Sequence, residues 1–250
     1  MRKLRAALED FGRMLMFAGE VVAWAFRPPF RIDQLLAQMA FIGAGSAFIV
    51  GVTGTFAGMV FGLQMNYAMA KFAAEGYVGG STAFALTREL SPVFTALMVT
   101  GRAGSAMATE LGTMRVTEQI DAMESMAVSP IQYLVVPRVL ASLLMFPALT
   151  MLFNALGYGG AWVMGIYVSG IPEGPFIQHT REIVGADDIF HGLLKSVVFG
   201  AIVAVITTWR GYSASGGARG VGEGTTRAVV ASSIAILVAD YAATVISVGT

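Results

Sequence analysis

QLLAQMAFIGAGSAFIVGVTGTFAGMVFGLQMNYAMA, residues 34–70, carries no charged side chain. Built as a helix it would be about 55 Å long, well beyond the roughly 30 Å hydrocarbon core of a bilayer. It reads as one tilted or extended membrane span, or as a tight hairpin of two. Residues 139–172 pose the same question, with Pro147 as a kink position. The whole chain agrees with this reading. It is 56% hydrophobic and 13% charged, against about 25% charged residues in an ordinary soluble domain. The fold class is therefore an all-α integral membrane protein. With no Cys among 250 residues, disulfide, thiolate and cysteine-metal chemistry are excluded. A formal charge of zero gives no reason to expect a nucleic-acid partner.

Outward from that stretch the remaining spans are marked less cleanly. Residues 84–108 contain Arg88, Glu89 and Arg102, residues 189–209 contain His191 and Lys195, and residues 228–249 contain Asp240. Ahead of them, Leu4, Leu8, Phe11, Leu15, Ala18 and Val22 recur at steps of four and three, which gives one apolar helix face. Residues 1–31 thus read as an interfacial amphipathic helix beginning at Arg2, Lys3 and Arg5, with Trp24, Arg27 and Arg31 near the headgroups. A soluble helix on a partner is the alternative.

Parity orders the spans. If the basic N-terminus and residues 110–128 share the cytoplasmic side, an even number of crossings separates them, namely 34–65 and 84–108. Residues 132–168 and 189–209 then bracket a periplasmic segment, 169–188, and 228–249 leaves the C-terminus periplasmic. In this five-span arrangement only Lys71, Arg88, Arg181 and Lys195 of the 16 basic residues lie toward the outer side, as the positive-inside bias requires. Small residues at four-residue spacing (Gly54, Gly58 and Gly62; Gly104, Ala108 and Gly112; Gly157, Ala161 and Gly165) make smooth stripes for helix packing. Such stripes serve packing within one chain or between two copies.

TMRVTEQIDAMESM, residues 113–126, interrupts the apolar chain with Arg115, Glu118, Asp121 and Glu124. Ionised groups cost several kcal/mol in hydrocarbon, so this helix belongs in water or on a protein. Val116, Ile120, Met123 and Ala127 fall on one side and Glu118, Asp121 and Ser125 on another. It can pack its apolar side on the bundle and offer its acidic side to a partner; a merely solvated loop, which would hardly need that apolar side, is the alternative. No G-x-x-x-x-G-K-[ST] phosphate loop occurs anywhere, so energy must come from elsewhere. GGARGVGEG, 216–224, joins two spans instead of a strand and a helix, which argues against a dinucleotide reading of its glycines.

The run RELSPVFTALMVTGRAGSAMATELGTMRVTEQIDAMESMAVSPIQYLVVPRVLA, 88–141, closely resembles the permease family of Mla-type (MCE-associated) lipid ABC transporters, the MlaE or YrbE permeases. KSVVFG at 195–200 and GYSASGGARGVGEGTTRAVV at 211–230 extend the resemblance over essentially the whole chain. The resemblance implies a coupling helix, 110–128 between spans 2 and 3, that docks on a cytoplasmic ABC ATPase through Glu110, Arg115, Glu118, Asp121 and Glu124. It also implies a permease homodimer in the bacterial inner membrane, two ATPase subunits, a periplasmic MCE-domain protein, a phospholipid cargo and room for a small cytoplasmic accessory protein. ATP and Mg²⁺ would sit on the ATPase, with no cofactor, metal or catalytic residue in this chain.

Ionisable groups within spans are functional candidates. Arg88 and Lys195 are placed to hold an anionic headgroup, with Glu89 balancing Arg88 in an empty cavity. A structural Arg-Glu-Lys network is the competing account; the resemblance, in which matching positions lie near a lipid cavity, favours substrate contact. Asp240 is expected to pair within the bundle, and Arg102 to snorkel to the inner interface or meet Glu110. Asp187 and Asp188, with Glu173 and Glu182, read as a solvated outer loop. His179 and His191, without further close ligands, do not suggest a metal site. A secondary transporter of a hydrophobic or anionic substrate is the alternative function; it would need an ion relay and usually repeated halves, and no internal repeat is visible. An intramembrane enzyme would need a nucleophile with a base beside it, and Ser105 and Ser196 lack one apart from Lys195.

Overall fold

The computed structural model describes residues 2–248, with side chains from residue 8 to residue 247. The end of the 228–249 span falls on residue 249, outside the described residues. The side chains of Arg2, Lys3, Leu4 and Arg5 lie outside them as well.

All the regular structure among the described residues is helical. Helix α1 is Arg2–Ala25 and α2 is Ile32–Ala70. Helix α3 runs over 78–116, α4 is Gln119–Ser125 and α5 is Ile131–Val168. Then come α6, Glu173–Ile183, α7, Ala186–Tyr212, and α8, Gly217–Val248. Four of these, α2, α5, α7 and α8, are long and apolar enough to cross a membrane. The uncharged stretch 34–70 is thus one helix and not a hairpin. Pro147 lies inside α5 without ending it.

Helix α3 fills the centre despite its charges. Its Leu86, Ala96, Val99, Ala103 and Met107 share a buried cluster with Ile42 and Val50 of α2, Phe146 and Phe153 of α5, Phe199 and Val203 of α7 and Ile236 of α8. π-Turns at Leu86–Leu90 and Thr100–Gly104 interrupt it. Each such bulge adds a residue to a turn and re-aims the side chains that follow. Arg102, in the second bulge, does not pair with Glu110, which is held by Arg138. It donates to the Phe41 carbonyl at 2.7 Å and to Ser46 Oγ at 3.2 Å, and Phe41 belongs to the π-turn Ala40–Ala44 of α2.

Helices α2 and α5 pack backbone to backbone. Gly54, Gly58 and Gly62 face Phe153, Gly157 and Ala161, and a Cβ on Gly58 would run into the Gly157 carbonyl. Close approach of this kind replaces the hydrophobic drive that lipid does not supply. Gly104 faces Val203 and Thr207 of α7, and Gly112 faces Ala214 and Val221.

The two ends of the bundle differ. At one, the elbow end, Ile120 of α4 is buried with Leu111 and Leu134. There α1 lays Phe17 and Val21 on Ile131, Val135 and Ala204, and Asp10 pairs with Arg210 at 2.7 Å. At the other, the cap end, α6 buries Phe176 against Val78 and Ile171. The N-terminal helix therefore lies at the elbow end. The glycine-rich segment 211–230 is mostly helix: Gly216 and Gly217, with φ of +88° and +67°, make the turn, and α8 starts at Gly217. Left-handed backbone at that point costs a glycine little.

Candidate functional site

Two polar constellations stand out, one near the cap end and one at the elbow. In the first, the π-turn Leu86–Leu90 aims the adjacent Arg88 and Glu89 at different partners. Lys195 of α7, 7% exposed, donates to Glu89 at 2.5 Å, to Asp240 at 3.1 Å and to Thr244 Oγ1 at 2.8 Å. An ammonium has three donors, and all three are engaged. Asp240, the expected intrabundle partner, is thus held by Lys195. Arg88 reaches Asp188 at 3.3 Å and Ser247 at 3.4 Å, so Glu89 does not balance it. Asp188 is not part of a free loop either: as the third residue of α7 it accepts the N–H of the N-cap residue Gly185 at 2.9 Å, the return bond of a capping box.

The structure therefore brings Glu89 and Lys195 into contact and places Arg88 one residue away in a looser pair. Thr244 and Ser247 complete the cluster and were not singled out by the sequence reading. Their signal is the spacing Asp240, Thr244, Ser247, which puts all three on one face of α8. Beside the cluster lies a groove of about 290 Å³ between α7 and α8. Leu194, Val198, Phe199, Ala243 and Ile246 give it apolar walls, and His191 and Lys195 give it polar atoms. Such a groove suits an amphiphile. Arg88 does not line this groove; it reaches it only through Ser247, which does.

At the elbow, the helix expected over 110–128 is two pieces. It breaks after Val116, where Glu118 takes a left-handed backbone with φ +60°. The turn lets Ile120 fold back onto Leu111 and Leu134, and that burial holds the bend. Helix α4 ends at Ser125, and Ala127, on the expected apolar side, is exposed with φ +58°. Arg115 pairs with Asp121 at 2.6 Å, and Glu124 accepts the Tyr212 hydroxyl at 3.1 Å. Glu110 stands apart from these: it meets Arg138, which is 4% exposed, at 2.7 Å. Arg138 was missed by the sequence reading because its partner is distant in the chain. Glu118, Asp121, Glu124 and Met126 remain exposed at the tip.

Comparison with known proteins identifies the family. A family model described as Permease MlaE matches residues 35–246. The chain is similar to the intermembrane phospholipid transport system permease protein MlaE of Haemophilus influenzae, at 37% identity over 96% of this chain and 94% of that protein. It is similar to a probable ABC transporter permease of Rickettsia conorii, at 38% identity over 93% of this chain and 90% of that protein. It is also similar to the chloroplastic TRIGALACTOSYLDIACYLGLYCEROL 1 of Arabidopsis thaliana, at 38% identity over 90% of this chain and 65% of that protein. With a match of that extent, the chain belongs to the MlaE permease family, a transport subunit and not an enzyme.

Proposed function

We propose that this chain is the membrane permease of an ATP-driven transporter that passes phospholipid between the bacterial inner membrane and a periplasmic MCE-domain protein. The observation that carries the reading is the elbow. A short helix is fixed to the end of the bundle by Ile120 and turns Glu118, Asp121 and Glu124 outward. A protein with no phosphate-binding loop of its own needs such a surface to receive mechanical work. In this reading the elbow end is cytoplasmic, with the N-terminus, and docks on an ABC ATPase that carries ATP and Mg²⁺. Helix α3, running between the two ends through the core, is the fifth span, and the described end of α8 is periplasmic.

Cargo recognition falls to the groove beside Lys195, with Arg88 meeting the headgroup phosphate and the apolar walls meeting acyl chains. Helix α8 supports a second copy of the chain as neighbour. Only 11% of its most apolar stretch is buried, against 44% for α7, so a partner is available to Ile234, Leu237 and Tyr241, which are exposed. The α6 cap faces the MCE protein, and the open elbow leaves space for a small accessory protein. Closure of the ATPases moves α4, and two bundle states with different lipid affinity do the transport, because a ligand shifts an equilibrium only by its differential affinity.

Co-purification tests the reading. The double variant E118K/D121K should lose the ATPase while remaining a monodisperse membrane protein. Undiminished ATPase in that preparation sinks the docking assignment. Separately, R88A should lower the phospholipid that co-purifies without changing assembly.

A further inference from the structure

Where α1 ends and α2 begins, the chain folds around a small notch of about 80 Å³. Its floor is Leu35 of α2 with Val136, Pro137 and Leu140 of α5, and its rim is Arg27 and Arg31. Gln132 donates to the Arg27 carbonyl at 2.8 Å and holds the rim in place. Both arginines are exposed. The Arg27 guanidinium lies 5.3 Å from the Trp24 ring centroid, and that of Arg31 lies 4.5 Å from Tyr133. Stacking on a ring positions a guanidinium but leaves its edge N–H groups free to meet oxygen acceptors.

Those donors lack an anion among the described residues. Arg88, Arg115, Arg138 and Arg210 each hold a carboxylate. Among the described residues neither Arg27 nor Arg31 makes an ion pair, even with Asp33 two residues from Arg31. Around the rim Phe26, Phe30, Ile32 and Leu36 are exposed. Large apolar side chains beside arginine and tryptophan place this joint where hydrocarbon meets headgroups. An occupant must therefore carry an anion at the guanidinium level and hydrocarbon below it.

We propose that the notch is a resident site for an anionic glycerophospholipid of the surrounding leaflet. Its phosphate sits on the forks of Arg27 and Arg31, which match phosphate geometry. Its glycerol and first methylenes lie on Leu35, Val136 and Leu140, and its tails follow the exposed apolar face into the bilayer. This lipid is a fixture of the joint between α1 and α2 and not cargo: the notch is walled by α1, α2 and α5, while the groove beside Lys195 lies between α7 and α8. The inference needs the chain to lie in a bilayer but does not depend on the transport reading.

The test is photolabelling of the full chain in phosphatidylcholine nanodiscs containing one tenth phosphatidylglycerol with a photoactivatable acyl chain, followed by peptide mapping. Label is expected on peptides carrying Leu35, Val136 or Leu140. Basic residues at the interface attract anionic lipid, so R27Q/R31Q should lose the label by about tenfold or more. R27K/R31K, which keeps the charge but not the stacked fork, should retain more of it than R27Q/R31Q and less than the unaltered chain, and R88Q should leave it unchanged. If R27Q/R31Q does not fold, competition on the unaltered chain decides: unlabelled phosphatidylglycerol should displace the probe, and phosphatidylcholine or inorganic phosphate should not. Equal labelling by a phosphatidylcholine probe, equal competition by either control, or label that survives R27Q/R31Q overturns the proposal.

Discussion

Lys195 and Glu89, on different helices, share a 2.5 Å ion pair in which the lysine is almost wholly buried. Asp240 adds a second carboxylate at 3.1 Å, so the cluster is one positive charge held between two negative ones. Removing the lysine leaves two partly exposed carboxylates to repel each other, a loss of about 1–2 kcal/mol after screening by solvent. K195M should therefore lower the unfolding temperature in detergent far more than the triple variant K195M/E89Q/D240N, which removes all three charges together. Equal losses would mean that the groups are individually solvated.

Backbone contact between α2 and α5 gives a sharper steric prediction. A methyl group at position 58 meets the Gly157 carbonyl of the facing helix, whereas one at position 159 has nothing within 4 Å. G58A should cost about 2 kcal/mol, the usual penalty of forcing an extra carbon into a packed interface. G159A should cost nothing. Thermal unfolding of the two single variants, measured side by side, separates packing from helix propensity, since the substitution is the same.

The long apolar helices were legible because hydrocarbon imposes one rule on every residue it touches. The lack of charge in 34–70 appears in the structure as α2, and the stripe Gly54, Gly58, Gly62 lies where backbones meet. Helix α3 was legible only through parity, since Arg88, Glu89 and Arg102 disguise a segment that lies at the centre. The pairing of Arg88 with Glu89 failed for a reason available beforehand: neighbours i and i+1 on a helix do not face each other. The elbow's break at Glu118 has no glycine or proline to announce it. Burial of Ile120 dictates it, and that contact depends on Leu134 of another helix. Arg138 was hidden for the same reason, because its partner Glu110 lies across the bend.

That pair between Arg138 and Glu110 is asymmetric, and the asymmetry is testable. Arg138 is buried and also donates to the Leu134 carbonyl at 2.5 Å, while the Glu110 side chain is 52% exposed. Losing the carboxylate strands a buried guanidinium; losing the guanidinium only returns a carboxylate to water. E110A should therefore cost about 3 kcal/mol, whereas R138M, which keeps the packing of the stem, should cost about 1 kcal/mol or less. Denaturation in mild detergent with both variants checks the order, and a larger loss for R138M would show that the arginine acts through other contacts.

Glu118 combines a conformational and a chemical demand that substitutions can separate. Its φ of +60° lies in the left-handed region, which costs a residue with a Cβ roughly 1 kcal/mol and glycine almost nothing. E118G should stabilise the elbow by about that amount and slow hydrogen exchange over 117–125, while E118V, β-branched, should destabilise it. Asparagine tolerates left-handed backbone and has no charge, so E118N should keep the bend. If the ATPase recognises the carboxylate, both E118G and E118N should weaken its co-purification although the elbow is as well formed as before. If it recognises only the bend, both variants should retain the ATPase and E118V alone should lose it.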